Sequence, residues 1–115
     1  MTTNIKVAGT TFHRLPAGSA IRIDCEFEEN EVPCAKVQAV LVPEPTNEYD
    51  PEAVKVLVPL TTGEAFHIGY VPREEPLKQK VKSPLVVELV IKDFGRVGNY
   101  NAQYVITKVG GPTCR

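Results

Sequence analysis

Short apolar runs recur along this chain between turn-forming residues, and most are too short to make a helix of ordinary length. Ile5 to Ala8, Ala20 to Phe27, Lys36 to Val42, Ala53 to Leu57, Ala65 to Val71, Leu85 to Ile91 and Gln103 to Val109 have the length and β-branched content of strands. In the second run Ile21, Ile23, Cys25 and Phe27 alternate with Arg22, Asp24 and Glu26. That period of two turns one face inward and leaves the other in water. Ten prolines fall almost entirely between the runs, where a fixed φ and a missing N–H do least harm to a ladder. One short helix is predicted from Pro76, with Leu77 and Val81 one turn apart and Ser83-Pro84 ending it. A second single turn is predicted at Asp50, whose carboxylate would cap the N–H groups that follow Pro51. The pattern as a whole predicts a mainly β fold of about six to seven strands with one or two short helices. A small barrel, closed or partly closed, leaves the fewest strand edges exposed.

Composition narrows this picture. A chain of 115 residues that is 43% hydrophobic and 23% charged reads as one domain, 1–115, able to bury a core without a metal or disulfides. Cys25, Cys34 and Cys114 are odd in number and form no C-x-x-C pair. Reduced thiols in a cytoplasmic protein are therefore expected, with Cys25 a small buried hydrophobe and Cys114 in a frayed tail. The polar start of the chain and the absence of an apolar run near 20 residues predict a soluble protein with no membrane partner.

Thirteen Lys and Arg against fourteen Asp and Glu give a formal charge of −1, which argues against coating duplex phosphates by bulk charge. Any nucleic-acid site must then be local. The acidic stretch Glu26 to Cys34 reads as a solvated loop, because it lacks the Asp-rich spacing and turn glycine of a calcium site. His13 and His67, the two histidines, have no third ligand at suggestive spacing and read as structural. No metal and no cofactor are expected. Lys78, Lys80 and Lys82 read as a solvated helix face that suits the dipole, with a funnel for a DNA backbone as the lesser alternative.

Three segments stand in a recognisable order: Val7-Ala8-Gly9-Thr10-Thr11-Phe12-His13-Arg14, then Glu44-Pro45-Thr46-Asn47-Glu48-Tyr49-Asp50-Pro51-Glu52-Ala53-Val54-Lys55-Val56, then His67-Ile68-Gly69-Tyr70-Val71-Pro72-Arg73-Glu74. Together they resemble the HIRAN family. The motif core spans 7–74, and the C-terminal strands over 85–109 match only loosely. The resemblance implies an OB-like barrel, found alone or attached to fork-remodelling helicases, that holds the 3′ end of single-stranded DNA. In those relatives two aromatics stack on bases and an aspartate takes the terminal 3′-hydroxyl. Matched residue by residue, the aromatics would be Phe12 and Tyr49 and the aspartate Asp50, with Asn47, Arg73, Thr11 and Tyr70 beside them. The family also sets an aromatic near the end of the domain against DNA, and Tyr100, in the basic and glycine-rich stretch from Phe94, is the candidate. Thr11 stands where the eukaryotic relatives have an arginine, and Phe12 where they have a tyrosine, so a modest pocket is implied.

The chemistry of these side chains suits an end. Aromatic faces stack on any base, contributing about 1–3 kcal/mol each. An ionised carboxylate accepts a hydrogen bond from a hydroxyl and repels a phosphate, so Asp50 would select a free 3′-hydroxyl. Asn47 offers a donor and an acceptor, and Arg73 can fork onto a phosphate. Local explanations stand beside each of these roles. Phe12 could close the barrel, Asp50 could cap a turn, and Asn47 could make an Asx turn. Tyr49 and Tyr70 could bury their rings and hydrate their hydroxyls.

Two functions of different kinds follow. One is a non-catalytic binding module for single-stranded DNA ends. The other is a protein-protein interaction module that uses the same groove or a barrel edge. A hydrolase is the weakest reading, since no nucleophile-base pair, metal cluster or phosphate loop is present in the sequence.

Overall fold

A computed structural model describes residues 2–9, 20–93 and 103–114. Seven strands, β1 (Thr2–Lys6), β2 (Cys25–Glu29), β3 (Val32–Pro43), β4 (Val54–Pro59), β5 (Ala65–Tyr70), β6 (Leu85–Lys92) and β7 (Gln103–Val109), form one antiparallel sheet. A single helical turn, α1 (Leu77–Lys80), lies between β5 and β6. The sheet order is β1-β7-β6-β3-β4-β5, with β2 paired to β3 off that path. The mainly β class with one short helix is what the periodicity predicts.

The twelve residues of β3 organise the rest. One edge pairs with β6 from Cys34 to Leu41. The other edge is divided, with Val32 to Lys36 facing β2 and Val40 to Pro43 facing β4. In the gap between them the Gln38 N–H donates to Asp24 Oδ2 at 2.8 Å, so a side chain replaces the missing carbonyl. This explains why the predicted strand Ala20 to Phe27 is split. Its first part makes only a bridge from Ile21 to Leu60, and the chain bends at Asp24 before β2 begins.

One further expectation is corrected. The acidic stretch after Glu26 is no loop but continues through β2 and β3, joined by a two-residue hairpin at Asn30 and Glu31 with φ of 52° and 64°. Positive φ at both positions is what a tight turn of the strands' own twist requires. The single turn predicted at Asp50 is present at Pro51 and Glu52, where Asp50 Oδ1 accepts the Glu52 N–H at 3.0 Å.

Inward-facing residues alternate along the strands. Val37, Ala39 and Leu41 of β3 meet Val54, Val56 and Val58 of β4 and Val87, Leu89 and Ile91 of β6 in one core. The two ends of the sheet order touch at one rung, where Ala8 and Tyr70 exchange backbone hydrogen bonds of 2.9 Å. Gly69 permits this approach, since a Cβ there would lie 2.4 Å from Ala8 O and 2.7 Å from Val7 Cγ1.

The C-terminal segment is tied down rather than frayed. Lys36 Nζ donates to Thr113 O at 3.2 Å, Lys108 Nζ to Thr113 Oγ1 at 2.9 Å, and Cys114 is disulfide-bonded to Cys25. Reduced thiols at these two positions are thus corrected, while Cys34 is a buried thiol. Among the described residues no helix is long and apolar enough to cross a membrane.

Candidate nucleic-acid interface

The loop between β3 and β4 is built around Asn47. Its Oδ1 accepts the backbone N–H groups of Tyr49 (2.9 Å) and Asp50 (3.0 Å), and its Nδ2 donates to Glu44 Oε1 (2.7 Å). Asn47 therefore plays the local, Asx-type role, fixing the backbone of the two residues that follow it. The Glu44 N–H donates to Ala53 O at 2.8 Å and closes the base of the loop.

Glu44 also receives the Tyr70 hydroxyl on Oε1 at 3.1 Å, and Lys55 Nζ lies 4.0 Å from Oε2. The Asn47 bond, helped by Tyr70, Lys55 and His67 and opposed by burial, holds the Glu44 carboxyl below its ordinary value. Burial, and then the bond to Glu44, push the Tyr70 phenol up. The His67 ring stands edge-on to Tyr70, with centroids 4.7 Å apart, and its Nε2 donates to Gly69 O at 2.8 Å. Tyr70 thus braces the loop from β5 through its hydroxyl.

Asp50 sits at the open end of this scaffold. Oδ1 accepts the Glu52 N–H at 3.0 Å. Oδ2 accepts a hydrogen bond from Lys78 Nζ, and Arg73 Nε lies 3.9 Å from the same oxygen. The Lys78 bond first, then the Glu52 N–H and the charges of Lys78 and Arg73, hold the Asp50 carboxyl below its ordinary value against the effect of burial. Leu77 and Val81 pack α1 onto the core, and this lays the intervening Lys78 against the loop. The Lys78 side chain is only 5% exposed, which corrects the expectation of a solvated lysine face at that position.

Tyr49 is the opposite case. Its backbone is pinned by Asn47, yet the residue is 89% exposed, so its ring is not buried as the local explanation expects. Arg73 is also on the outside, with 74% of its side chain exposed. The structure thus brings Asn47, Tyr49, Asp50 and Arg73 to one surface, with Tyr70 joined from beneath through Glu44. Thr11, Phe12 and Tyr100 lie outside the described residues.

Sequence reasoning missed the parts played by Glu44 and Lys78. Glu44 stands three residues before Asn47, a spacing that hints at a turn closed by side chains. Lys78 carries no comparable signal, because a one-turn helix has no periodicity to mark an inward face.

Beside the loop a groove of about 560 Å³ runs between it and α1, lined by Val42, Pro43, Pro51, Val54, Val81 and Pro84 among others. Among the described residues no group of three or more His, Cys, Asp or Glu side chains is placed to hold a metal ion. The surface offers an exposed ring, an ionised acceptor beside it and a cation at the rim. That combination can stack a flat group, accept a hydrogen bond from its neighbour and pair with an anion.

A family model described as HIRAN domain matches residues 2–78, more than half of the chain. No curated protein and no solved structure shows a significant match.

Proposed function

Because the chain belongs to the HIRAN domain family, whose members are DNA-binding modules, we propose that it holds the 3′-hydroxyl end of single-stranded DNA without catalysis of its own. The observation that carries this reading is the 89% exposed ring of Tyr49, held on a braced loop next to an ionised Asp50. An exposed aromatic on a rigid loop is a platform on which a base can stack whatever its identity. In this reading the terminal sugar lies over Asp50, whose carboxylate accepts from the 3′-hydroxyl, and Arg73 pairs with the phosphate before it. Asn47 and Tyr70 act by holding the loop. Phe12, Thr11 and Tyr100 complete the contact by family analogy. We read 1–115 as one module, since β6 and β7, beyond the matched residues, pair with β3 and β1 in the same sheet.

A bare carboxylate would select a hydroxyl over a phosphate by charge. Here Lys78 offsets that charge, so selection rests on the hydrogen bond: a hydroxyl donates to Asp50 and a terminal phosphate dianion does not. The test is a titration of labelled oligonucleotides that share a sequence and end in a 3′-hydroxyl or a 3′-phosphate. Tighter binding of the hydroxyl end is expected, together with a shallow salt dependence, about −0.7 in log–log slope per phosphate neutralised. Equal binding of both ends would remove end recognition.

A second reading, a protein-interaction module, draws on the apolar groove between the loop and α1. Absence of any oligonucleotide binding at low salt would favour it. The cytoplasmic expectation rested in part on reduced thiols, and the disulfide between Cys25 and Cys114 removes that support.

A further inference from the structure

Asp50 is tied to a buried ammonium that comes from another element, and this pairing bears on how an end would be held. Lys78 lies 28 residues further along the chain, and its side chain is 5% exposed against 22% for that of Asp50. A buried ammonium needs a partner, because water cannot replace one there. Breaking the pair is therefore costly.

Its geometry is specific. Lys78 donates to Oδ2 and the Glu52 N–H donates to Oδ1, so a donor on each oxygen fixes the plane of the carboxylate. An ionised carboxylate has about four lone-pair sites, and these two donors take one on each oxygen. Arg73, 3.9 Å away at Nε, is beyond hydrogen-bond distance and largely exposed, so it can turn toward a phosphate while Lys78 keeps Asp50 in place.

We infer that Lys78 is a positioning residue for DNA ends: it keeps Asp50 ionised and oriented as an acceptor for a terminal hydroxyl, and it offsets the charge that would repel the adjoining phosphodiester. This rests on the end-binding reading above. The groups facing Asp50 are Lys78 from α1, Arg73 from the segment before it, the Glu52 backbone in its own turn, and Glu44 more remotely through Asn47. Both cations favour the ionised form, and the direction of the Asp50 shift agrees. A carboxylate without Lys78 would be partly buried and lack its main counter-charge. It would then protonate at higher pH and lose its acceptor strength there.

The experiment compares two oligonucleotides that differ only in a 3′-hydroxyl or a 3′-deoxy end. The ratio of their dissociation constants reads the hydroxyl contact alone. In the wild-type protein the ratio is expected to be about tenfold or more, as for a hydrogen bond to a charged group, and to stay level from pH 7.5 to pH 5. In Lys78→Gln the ratio should begin to fall toward one at a higher pH than in the wild-type protein, and Lys78→Arg should restore the wild-type profile. A lysine with a merely structural role would weaken both oligonucleotides alike. An unchanged, pH-independent ratio in Lys78→Gln therefore overturns the inference and leaves end binding intact. A wild-type ratio of one at pH 7.5 overturns the end-binding reading itself. If Lys78→Gln does not melt cooperatively, the wild-type profile decides with an NMR titration of the Asp50 carboxyl carbon. A ratio that declines through the ordinary carboxylate range, with Asp50 titrating there, rejects the role of Lys78.

Discussion

Among the described residues two carboxylates stand between pairs of cations, Asp50 beside Lys78 and Arg73, and Glu88 beside Lys36 and Lys108. Around Glu88 the partners come from β3, β7 and the tail. Thr107 Oγ1 donates to Oε1 at 2.7 Å, the Thr113 N–H donates to Oε2 at 3.4 Å, and the disulfide-bonded tail keeps the side chain 8% exposed. Among the described residues no tail is laid across Asp50. One cation is buried, the other points outward, and the neighbouring tyrosine stands in water. The same ionic grouping is structural where the tail covers it, and becomes a candidate site where it is braced from beneath and left more exposed. Charge clusters alone do not tell the two apart; what covers them does.

The sharpest way to break this contrast is to uncover Glu88. Reducing the disulfide, or Cys114→Ser, releases a cross-link over 89 residues, and a loss of about 4 kcal/mol is expected from the added freedom of the unfolded chain. Melts with and without reductant measure it, and oligonucleotide affinity at the temperature where both forms are folded should not change. A parallel loss of affinity would mean that the two regions are not independent. Gly69→Ala strikes the other side. Its Cβ meets backbone 2.4 Å away at the rung that carries Tyr70, so about 2–3 kcal/mol of stability should go, along with DNA affinity. Tyr49→Ala should separate binding from folding, with affinity reduced by about 1–3 kcal/mol and the melting temperature unmoved, because the ring is exposed. A melting temperature that falls with it would place the ring in the fold rather than at the interface.

Acid should act on the Asp50 side. Glu44 and Asp50 both have carboxyls held below their ordinary values. Their contribution to stability is therefore full above the unfolded-state values and is lost as pH falls through the folded ones. A thermal melt series should show declining stability below about pH 4, with the decline reduced in Glu44→Gln. The smallest effect belongs to a position remote from both clusters. Glu31 holds a φ of 64° in the hairpin turn, where glycine is at ease, so Glu31→Gly should stabilise by about 0.5 kcal/mol and leave binding unaltered.

Much of the fold was legible because strands announce themselves locally. The predicted run Gln103 to Val109 coincides with β7, and Val54, Val56 and Val58 face inward in β4 as alternation requires. The loop residues Asn47, Tyr49 and Asp50 were also legible, since their order and their turn chemistry are both local. Lys78 was not, because nothing in Leu77-Lys78-Gln79-Lys80 distinguishes a lysine that meets Asp50 from one that meets water. Cys25 and Cys114 were not either, because a pair 89 residues apart has no spacing rule.

The amino-acid sequence by itself determined most of the strands and turns and which polar residues stand in one loop, because backbone geometry and side-chain alternation act over a few residues. Tertiary structure alone decided that Asp24 fills the gap in the edge of β3, that Cys114 reaches Cys25, and that Lys78 is buried against Asp50 while Tyr49 is not. Those outcomes depend on which distant elements the sheet order brings side by side, and burial, which sets the strength of an ion pair, exists only after they have met.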